Sequence, residues 1–179
     1  MNALFEEKGV AACGTDKLEV VIGVSPAFGV TMFKTIIDIT HQDVLKEVMA
    51  GIEEEGLKAR VVRVNKTADV AFIGLEAAKL CGSGIGIGIN SRGTAVIHQK
   101  DLAPLQNLEL FSQSPLVDKE TFRAMGRNAA KYAKHENPNP VPVRNDPMAR
   151  PRYQGLAALL QNKETQLVKK TAATTELKI

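Results

Sequence analysis

GSGIGIGINSRG, the run at residues 82–93, carries the strongest structural signal in this chain. Its isoleucines alternate with glycines, which is typical of a strand with one face made of backbone alone. The spacing differs from GxGxxG because the alternation continues and no helix follows, and no phosphate-loop lysine follows either. The bare face has two interpretations: a neighbouring helix packs closely on it, or a flat ligand or another subunit's backbone lies against it.

Upstream of this run, two strands flank a helix. The β-branched residues 18–24 predict a strand buried on both faces, as in a parallel sheet. Residues 41–55 place apolar side chains on one helical face, with Thr40 as the expected N-cap. Residues 59–64 predict a second strand. The three elements form a strand–helix–strand unit.

The elements around the glycine run continue this alternation. Residues 70–80 predict a helix that Thr67 or Asp69 can cap. Residues 94–98 predict a strand that pairs with the glycine run through a hairpin turn at residues 90–93. These elements extend the same sheet.

Towards the C-terminus regular structure becomes sparser. A loop is expected over residues 102–115, and Asp118 is expected to cap a helix over residues 119–134. Residues 136–151 contain five of the eight prolines and predict an extended strap. A short helix over residues 152–161 is expected to follow.

Both ends of the chain are expected to be irregular. Residues 1–16 have no sustained period and predict a loose lead-in, and the basic residues 163–178 predict a solvated tail. The order of elements indicates an α/β fold with a long C-terminal arm.

Composition excludes several classes of protein. Lys and Arg total 23 against 20 Asp and Glu, so the net charge is only +3, and apolar residues make up 44% of the 179 residues. This balance indicates a folded domain with no basic patch for nucleic acid. No run is long and apolar enough for a membrane span, and the acidic start is unlike a secretory signal, so a cytoplasmic location is expected.

The residue types for catalysis and metal binding are scattered. Two cysteines do not make a disulfide framework, the three histidines lie far apart, and neither CxxC nor HExxH occurs. Cys81 is interpreted as a packed residue and His98 as a structural one. We therefore expect no catalytic set and no metal site, and the chain is more consistent with a ligand-holding subunit than with a complete enzyme.

Asp69 and Arg92 lie near the ends of predicted strands, where open α/β sheets bind ligands. Either side chain can hydrogen-bond an amide or a phosphate group. The alternative is that Asp69 caps a helix and Arg92 belongs to a solvated turn.

Six runs resemble, in order, the medium (β) subunit of adenosylcobalamin-dependent glycerol and diol dehydratases. The matching runs are residues 19–28, 50–63, 83–99, 107–116, 128–134 and 145–151. The resemblance covers nearly the whole chain beyond the lead-in. It implies a Rossmann-like open sheet with flanking helices and an extended Pro-rich C-terminal arm. The implied division is a lead-in at 1–17, a cobalamin-facing domain at 18–135 and an arm at 136–179 that contacts partner subunits.

The implied enzyme is a carbon–oxygen lyase that converts glycerol to 3-hydroxypropionaldehyde and water by a radical mechanism. The medium subunit holds adenosylcobalamin against a large subunit, which carries the substrate, the metal ion and the catalytic residues. The expected partners are the large and small subunits of an (αβγ)₂ assembly and a reactivating factor.

The resemblance also implies cofactor-binding residues. Asp69 matches an aspartate that contacts the corrin amides, and Arg92 stands where the family commonly has Lys. Further candidates for the cobalamin side or the large-subunit contact are Ser83, Asn107, Arg150 and Tyr153. His98 is not proposed as a cobalt ligand, because no DxHxxG run is present.

Three alternatives remain at this point. One is a medium subunit that prefers propane-1,2-diol and yields propanal. Another is the small, non-catalytic subunit of a reactivating factor, which is expected to be shorter and to lack the proline strap. A third, a nucleotide-binding domain, is disfavoured by the absence of a phosphate-loop pattern. The short N-terminus favours the cytoplasm over a bacterial microcompartment.

Overall fold

The computed structural model describes residues 3–142 and 144–179 of the chain. It contains seven strands and four α-helices in an α/β arrangement. In chain order they are β1 (Glu6–Val10), β2 (Glu19–Val24), α1 (His41–Glu54), β3 (Lys58–Arg63), α2 (Val70–Leu80), β4 (Ile85–Ile89), β5 (Ala95–Gln99), β6 (Glu109–Phe111), α3 (Lys119–Ala133), α4 (Ala149–Thr165) and β7 (Thr175–Lys178).

The strands form one open sheet in the order β1-β7-β3-β2-β4-β5-β6. Strands β3, β2 and β4 are parallel, and the outer strands are antiparallel to their neighbours. All six residues of β2 are buried, as its continuous apolar run predicts for a central strand. The predicted α/β class and Rossmann-like sheet are therefore confirmed.

The caps confirm the start of three predicted helices. The Thr40 side chain accepts from the Asp43 amide at the start of α1. Asp69 caps α2 and Asp118 caps α3 in the same way. Each cap satisfies an amide that has no partner inside its helix.

Helix α2 packs on the bare glycine face of β4. A Cβ on Gly86 would lie 2.3 Å from the amide nitrogen of Ala78, and one on Gly88 would lie 2.5 Å from that of Gly74. Only glycine permits this backbone contact. The helix-packing interpretation is confirmed, and the expectation of a flat ligand or a foreign backbone on this face is wrong.

Helices α1 and α3 cover the opposite face. They approach closely at Gly51 and Gly126, where an added Cβ would meet a backbone oxygen of the other helix at 2.1 Å. Arg123 pairs with Glu47 and Glu54 along their exposed seam. The main hydrophobic core lies between this helix pair and the sheet.

Both ends of the chain join the sheet. Strand β7 lies between β1 and β3, and Leu177 is 3% exposed in the main core. The predictions of a loose lead-in and a solvated tail are therefore wrong. Their polar sequences form strands because the edge of the sheet offers backbone partners, which a local pattern does not reveal.

Helix α4 is longer than predicted, with 17 residues beginning at Ala149. The expected strap therefore ends at residue 148. Pro151 does not prevent the helix, because it lies in the first helical turn, where no backbone donor is needed. The loop expected at 102–115 also contains β6 and a short 3₁₀ helix at Ser114–Leu116. Within the described ranges no helix is long and apolar enough to cross a membrane.

Candidate functional site

The carboxyl ends of the three parallel strands lie level with one another. Val24 of β2 pairs with Arg63 of β3 on one side and with Ile89 of β4 on the other. The chain leaves β2 into α1 on one face of the sheet and leaves β3 into α2 on the other face. This is a topological switch point, where open α/β sheets form a ligand crevice.

Ser91, in the turn after β4, organises this crevice. Its amide donates to the Glu164 carboxylate at 2.9 Å, and its carbonyl lies 2.9 Å from Nε2 of His41. Its hydroxyl lies 3.1 Å from the hydroxyl of Ser25. All three polar groups of Ser91 are thus bonded, and all four residues are buried.

His41 is held as a neutral imidazole. The Gly29 amide donates to Nδ1 at 3.0 Å, so the ring proton lies on Nε2 and is donated to Ser91. Burial lowers the pKa of His41 to about 4. The ring also stacks on Phe28 with a centroid distance of 3.8 Å. Through its bond to the Ser91 carbonyl oxygen, His41 supports the turn that carries Arg92.

Arg63 is a second buried group at this edge. It is 2% exposed and donates to the Phe28 carbonyl oxygen at 2.8 Å and to Glu7 of β1 at 3.1 Å. Burial lowers the pKa of its guanidinium. The interaction ties the N-terminal strand to the carboxyl edge of β3.

A cleft of about 500 Å³ opens beside the crevice, between the turn after β4 and helix α4. Three predicted binding residues line it: Arg92 from the turn, and Arg150 and Tyr153 from the helix. The remaining lining residues are Ile36, Thr94, Ser112, Gln113, Ser114, Pro115, Ala149, Gln154 and Ala157. The fold thus joins residues that lie about 60 positions apart in the sequence.

Arg92 has unused bonding capacity in this cleft. Its Nη1 donates to the Ala157 carbonyl oxygen at 3.5 Å, which is a long contact, and its buried Nε has no hydrogen-bond partner among the described residues. A buried guanidinium donor without an acceptor is costly. A phosphate or amide oxygen in the cleft would satisfy it.

Asp69 lies at the same edge of the sheet. Its Oδ1 accepts from the amides of Ala71 and Phe72, so the capping alternative holds. The residue is exposed, and a role as cap does not prevent a contact with a ligand. Helix α2 starts beside β4, because the Val70 carbonyl oxygen lies against Gly88.

Ser83 and Asn107 lie at the opposite edge of the sheet. Ser83 precedes β4, and its hydroxyl accepts from the Ile85 amide at 3.2 Å. Asn107 precedes β6, which pairs with β5 so that Glu109 faces Ile97. The structure does not bring these two residues to the cleft. The buried Oδ1 of Asn107 has no partner within the part of the chain described.

Cys81 and His98 are both buried. The Cys81 thiol contacts the Glu19 carbonyl oxygen at 3.2 Å, which confirms the prediction of a packed residue. The two ring nitrogens of His98 face the carbonyl oxygens of Gln99 and Pro104. Residues 3–142 and 144–179 contain no cluster of three or more His, Cys, Asp or Glu residues arranged to hold a metal ion.

Sequence reasoning missed the crevice residues Ser25, His41, Ser91 and Glu164. Their contacts join four separate segments, and each residue alone has an ordinary local interpretation. The only local signal is the polar turn after the glycine run.

The sequence model of a family described as dehydratase medium subunit matches residues 25–139, more than half of the chain. A solved glycerol dehydratase reactivase has a TM-score of 0.56 at 19% identity, covering 67% of this chain and 95% of that one. A diol dehydratase-reactivating factor solved with ADP and Mg²⁺ has a TM-score of 0.48 at 24% identity, covering 70% and 95%.

Proposed function

The chain belongs to the dehydratase medium-subunit family, and we propose that it holds adenosylcobalamin against the large catalytic subunit of a glycerol dehydratase. The observation that carries the proposal is the convergence of Arg92, Arg150 and Tyr153 on one cleft at the carboxyl edge of the sheet. Membership of the family implies a multi-subunit dehydratase.

The residues of the cleft fit the polar periphery of a cobalamin. Two arginines suit its phosphate, and the unpaired Nε of Arg92 suits a phosphate or amide oxygen. The Tyr153 hydroxyl can donate to or accept from an amide. Asp69 at the same edge is proposed to accept from the corrin amides. Adenosylcobalamin, when bound, supplies the radical chemistry of the dehydration.

Ser83 and Asn107 have a different place in the proposal. They lie at the edge of the sheet opposite to the one that bears the cleft. We therefore assign them to the contact with the large subunit, which is the other role expected from the resemblance. The unpaired buried Oδ1 of Asn107 supports this, because a partner's donor would satisfy it.

The proposed assembly is an (αβγ)₂ lyase in which the large subunit carries the metal ion and every catalytic residue. This chain would bind and orient the cofactor only. A reactivating factor would exchange damaged cofactor. The likeness to the reactivase at 19% identity concerns the fold, whereas the family match is to the medium subunit, so we prefer the subunit over the factor.

Reconstitution tests this function. The chain is expressed alone and together with its large and small partners, and adenosylcobalamin binding and glycerol dehydration are measured. We expect activity only from the three-subunit complex. Dehydration by the isolated chain would contradict the proposal, and a higher kcat/KM for propane-1,2-diol than for glycerol would assign the enzyme to the diol type.

A further inference from the structure

Helix α4 forms one wall of the cleft, and it is held on the sheet edge mainly by polar contacts. Of its 17 residues only Ala149 and Glu164 are buried. Leu156 and Leu159 remain 45% and 63% exposed. A helix that buries so little apolar surface gains little from packing. Its position therefore depends on the few polar groups that tie it to the sheet.

Glu164 makes the best of these polar ties. It is completely buried, and its Oε1 accepts from the Ser91 amide at 2.9 Å. Within residues 3–142 and 144–179, the other side-chain contact between α4 and the turn is the long one from Arg92 to the Ala157 carbonyl oxygen. Residues 157 and 164 lie seven positions apart, so both contacts are on one face of α4.

The same interface contains unpaired polar atoms. Arg92 Nε, Gln161 Oε1 and Glu164 Oε2 are buried without a hydrogen-bond partner in the described ranges. Each such atom opposes docking, because it gives up water and gains nothing in return. Among the described residues, the bond between Glu164 and Ser91 is the shorter of the two side-chain contacts that join α4 to the turn.

We propose that Glu164 is the positioning residue of the cleft, a latch that ties α4 to the Ser91 backbone. Ser91 directly precedes Arg92, and α4 carries Arg150 and Tyr153. The latch thus fixes the separation between the arginine on the turn and the two cleft residues on the helix. When the latch opens, α4 moves away from the turn and the cleft loses one wall. The consequence for cofactor binding rests on the proposed function, whereas the latch itself does not.

Hydrogen exchange on the unmodified full chain tests the latch first. Among the described residues the Ser91 amide donates only to Glu164, so it should exchange together with the amides of α4 and at least about tenfold faster than Ile87 in the central sheet. If Ser91 exchanges as slowly as Ile87, α4 does not open independently and the proposal is wrong.

Three variants of the full chain extend the test. Glu164→Ala should raise exchange throughout α4 and at Ser91 by about tenfold or more, with β2 unchanged. Glu164→Gln should restore protection, because its amide oxygen still accepts from Ser91. Lys163→Ala, one position away and exposed, is the matched control and should match the unmodified chain. Equal exchange in Glu164→Ala and Lys163→Ala would overturn the latch.

Adenosylcobalamin titration of the assembled dehydratase separates the latch from the proposed function. Glu164→Ala should bind the cofactor about tenfold more weakly, and Glu164→Gln should bind it as the unmodified enzyme does. If Arg92→Ala weakens binding but Glu164→Ala does not, the positioning role is wrong. If Glu164→Ala raises hydrogen exchange in α4 but neither Glu164→Ala nor Arg92→Ala changes cofactor affinity, the latch stands and the proposed function of the cleft fails.

Discussion

The carboxylate of Glu164 accepts a hydrogen bond from the backbone amide of Ser91 at 2.9 Å, although 73 positions separate the two residues. This bond joins the last helix to the turn that follows the glycine-rich strand β4. It places Arg150 and Tyr153 across a cleft from Arg92. The C-terminal arm is therefore part of the candidate binding site.

The close packing of α2 on the glycine face of β4 predicts that a side chain added to this face lowers the stability of the chain. Gly88→Ala should destabilise the chain by about 1–3 kcal/mol or more, because the new Cβ would lie 2.5 Å from backbone atoms of α2. Urea unfolding followed by circular dichroism measures the change. Gly155→Ala in α4 is the control, since nothing lies within 4 Å of its added Cβ, and it should be neutral or stabilising. Equal stability of the two variants would contradict the packing of α2 on this face.

Because His41 is neutral in the folded chain, the free energy of unfolding is expected to depend on pH. The folded pKa of about 4 lies below the unfolded value of 6.5, so the unfolded chain binds more protons between these values. Above pH 6.5 His41 is neutral in both states, so its titration does not lower the free energy of unfolding. That free energy falls by about 3 kcal/mol as the pH drops from 6.5 to the folded pKa. Below that value the group adds no further loss.

The His41→Asn variant isolates this contribution. Its amide oxygen can accept from Gly29 in place of Nδ1, but the side chain does not titrate. The free energy of unfolding should be lower than that of the unmodified chain at neutral pH and should depend less on pH between 6.5 and 4. Parallel pH profiles for the two proteins would show that His41 is not the group responsible.

Because the C-terminal strand β7 is part of the sheet, its buried side chain is expected to contribute to the stability of the chain. Leu177→Ala should cost about 2–5 kcal/mol of unfolding free energy, because Leu177 is 3% exposed in the main core. Ile179→Ala, two residues further on, should be nearly neutral because Ile179 is 53% exposed. Thermal unfolding of the two variants compares them directly. A neutral Leu177→Ala would mean that the tail does not dock on the sheet.

The central elements follow from local patterns. The apolar run of β2, the amphipathic spacing of α1 and the caps Thr40, Asp69 and Asp118 each carry their own signal. Strands β1 and β7 carry no such signal, because each is a short polar segment that forms a strand through distant partners: β7 pairs with β3 and β1, and β1 pairs with β7. Pairing between the two ends of a chain has no local pattern.

Local sequence signals likewise reveal some residues of the candidate site and not others. Arg92 and Asp69 are visible because they follow predicted strands, where the carboxyl edge of a sheet binds ligands. No local pattern marks Arg150 and Tyr153 as site residues, and only the family resemblance implies them. Glu164 looks like a charge in a solvated tail, and nothing near it in the sequence indicates that its partner is Ser91. Its burial depends entirely on how α4 docks.

The most direct measurement is the affinity of the assembled dehydratase for adenosylcobalamin with Arg150→Ala compared with Arg152→Ala. Both arginines are exposed and lie two positions apart on α4, but only Arg150 lines the cleft. If the cleft holds the cofactor, Arg150→Ala should weaken binding by about 10- to 100-fold, the value of a hydrogen bond to a charged group. Arg152→Ala should bind as the unmodified enzyme does. Equal affinities for the two variants would contradict the assignment of the cleft to adenosylcobalamin.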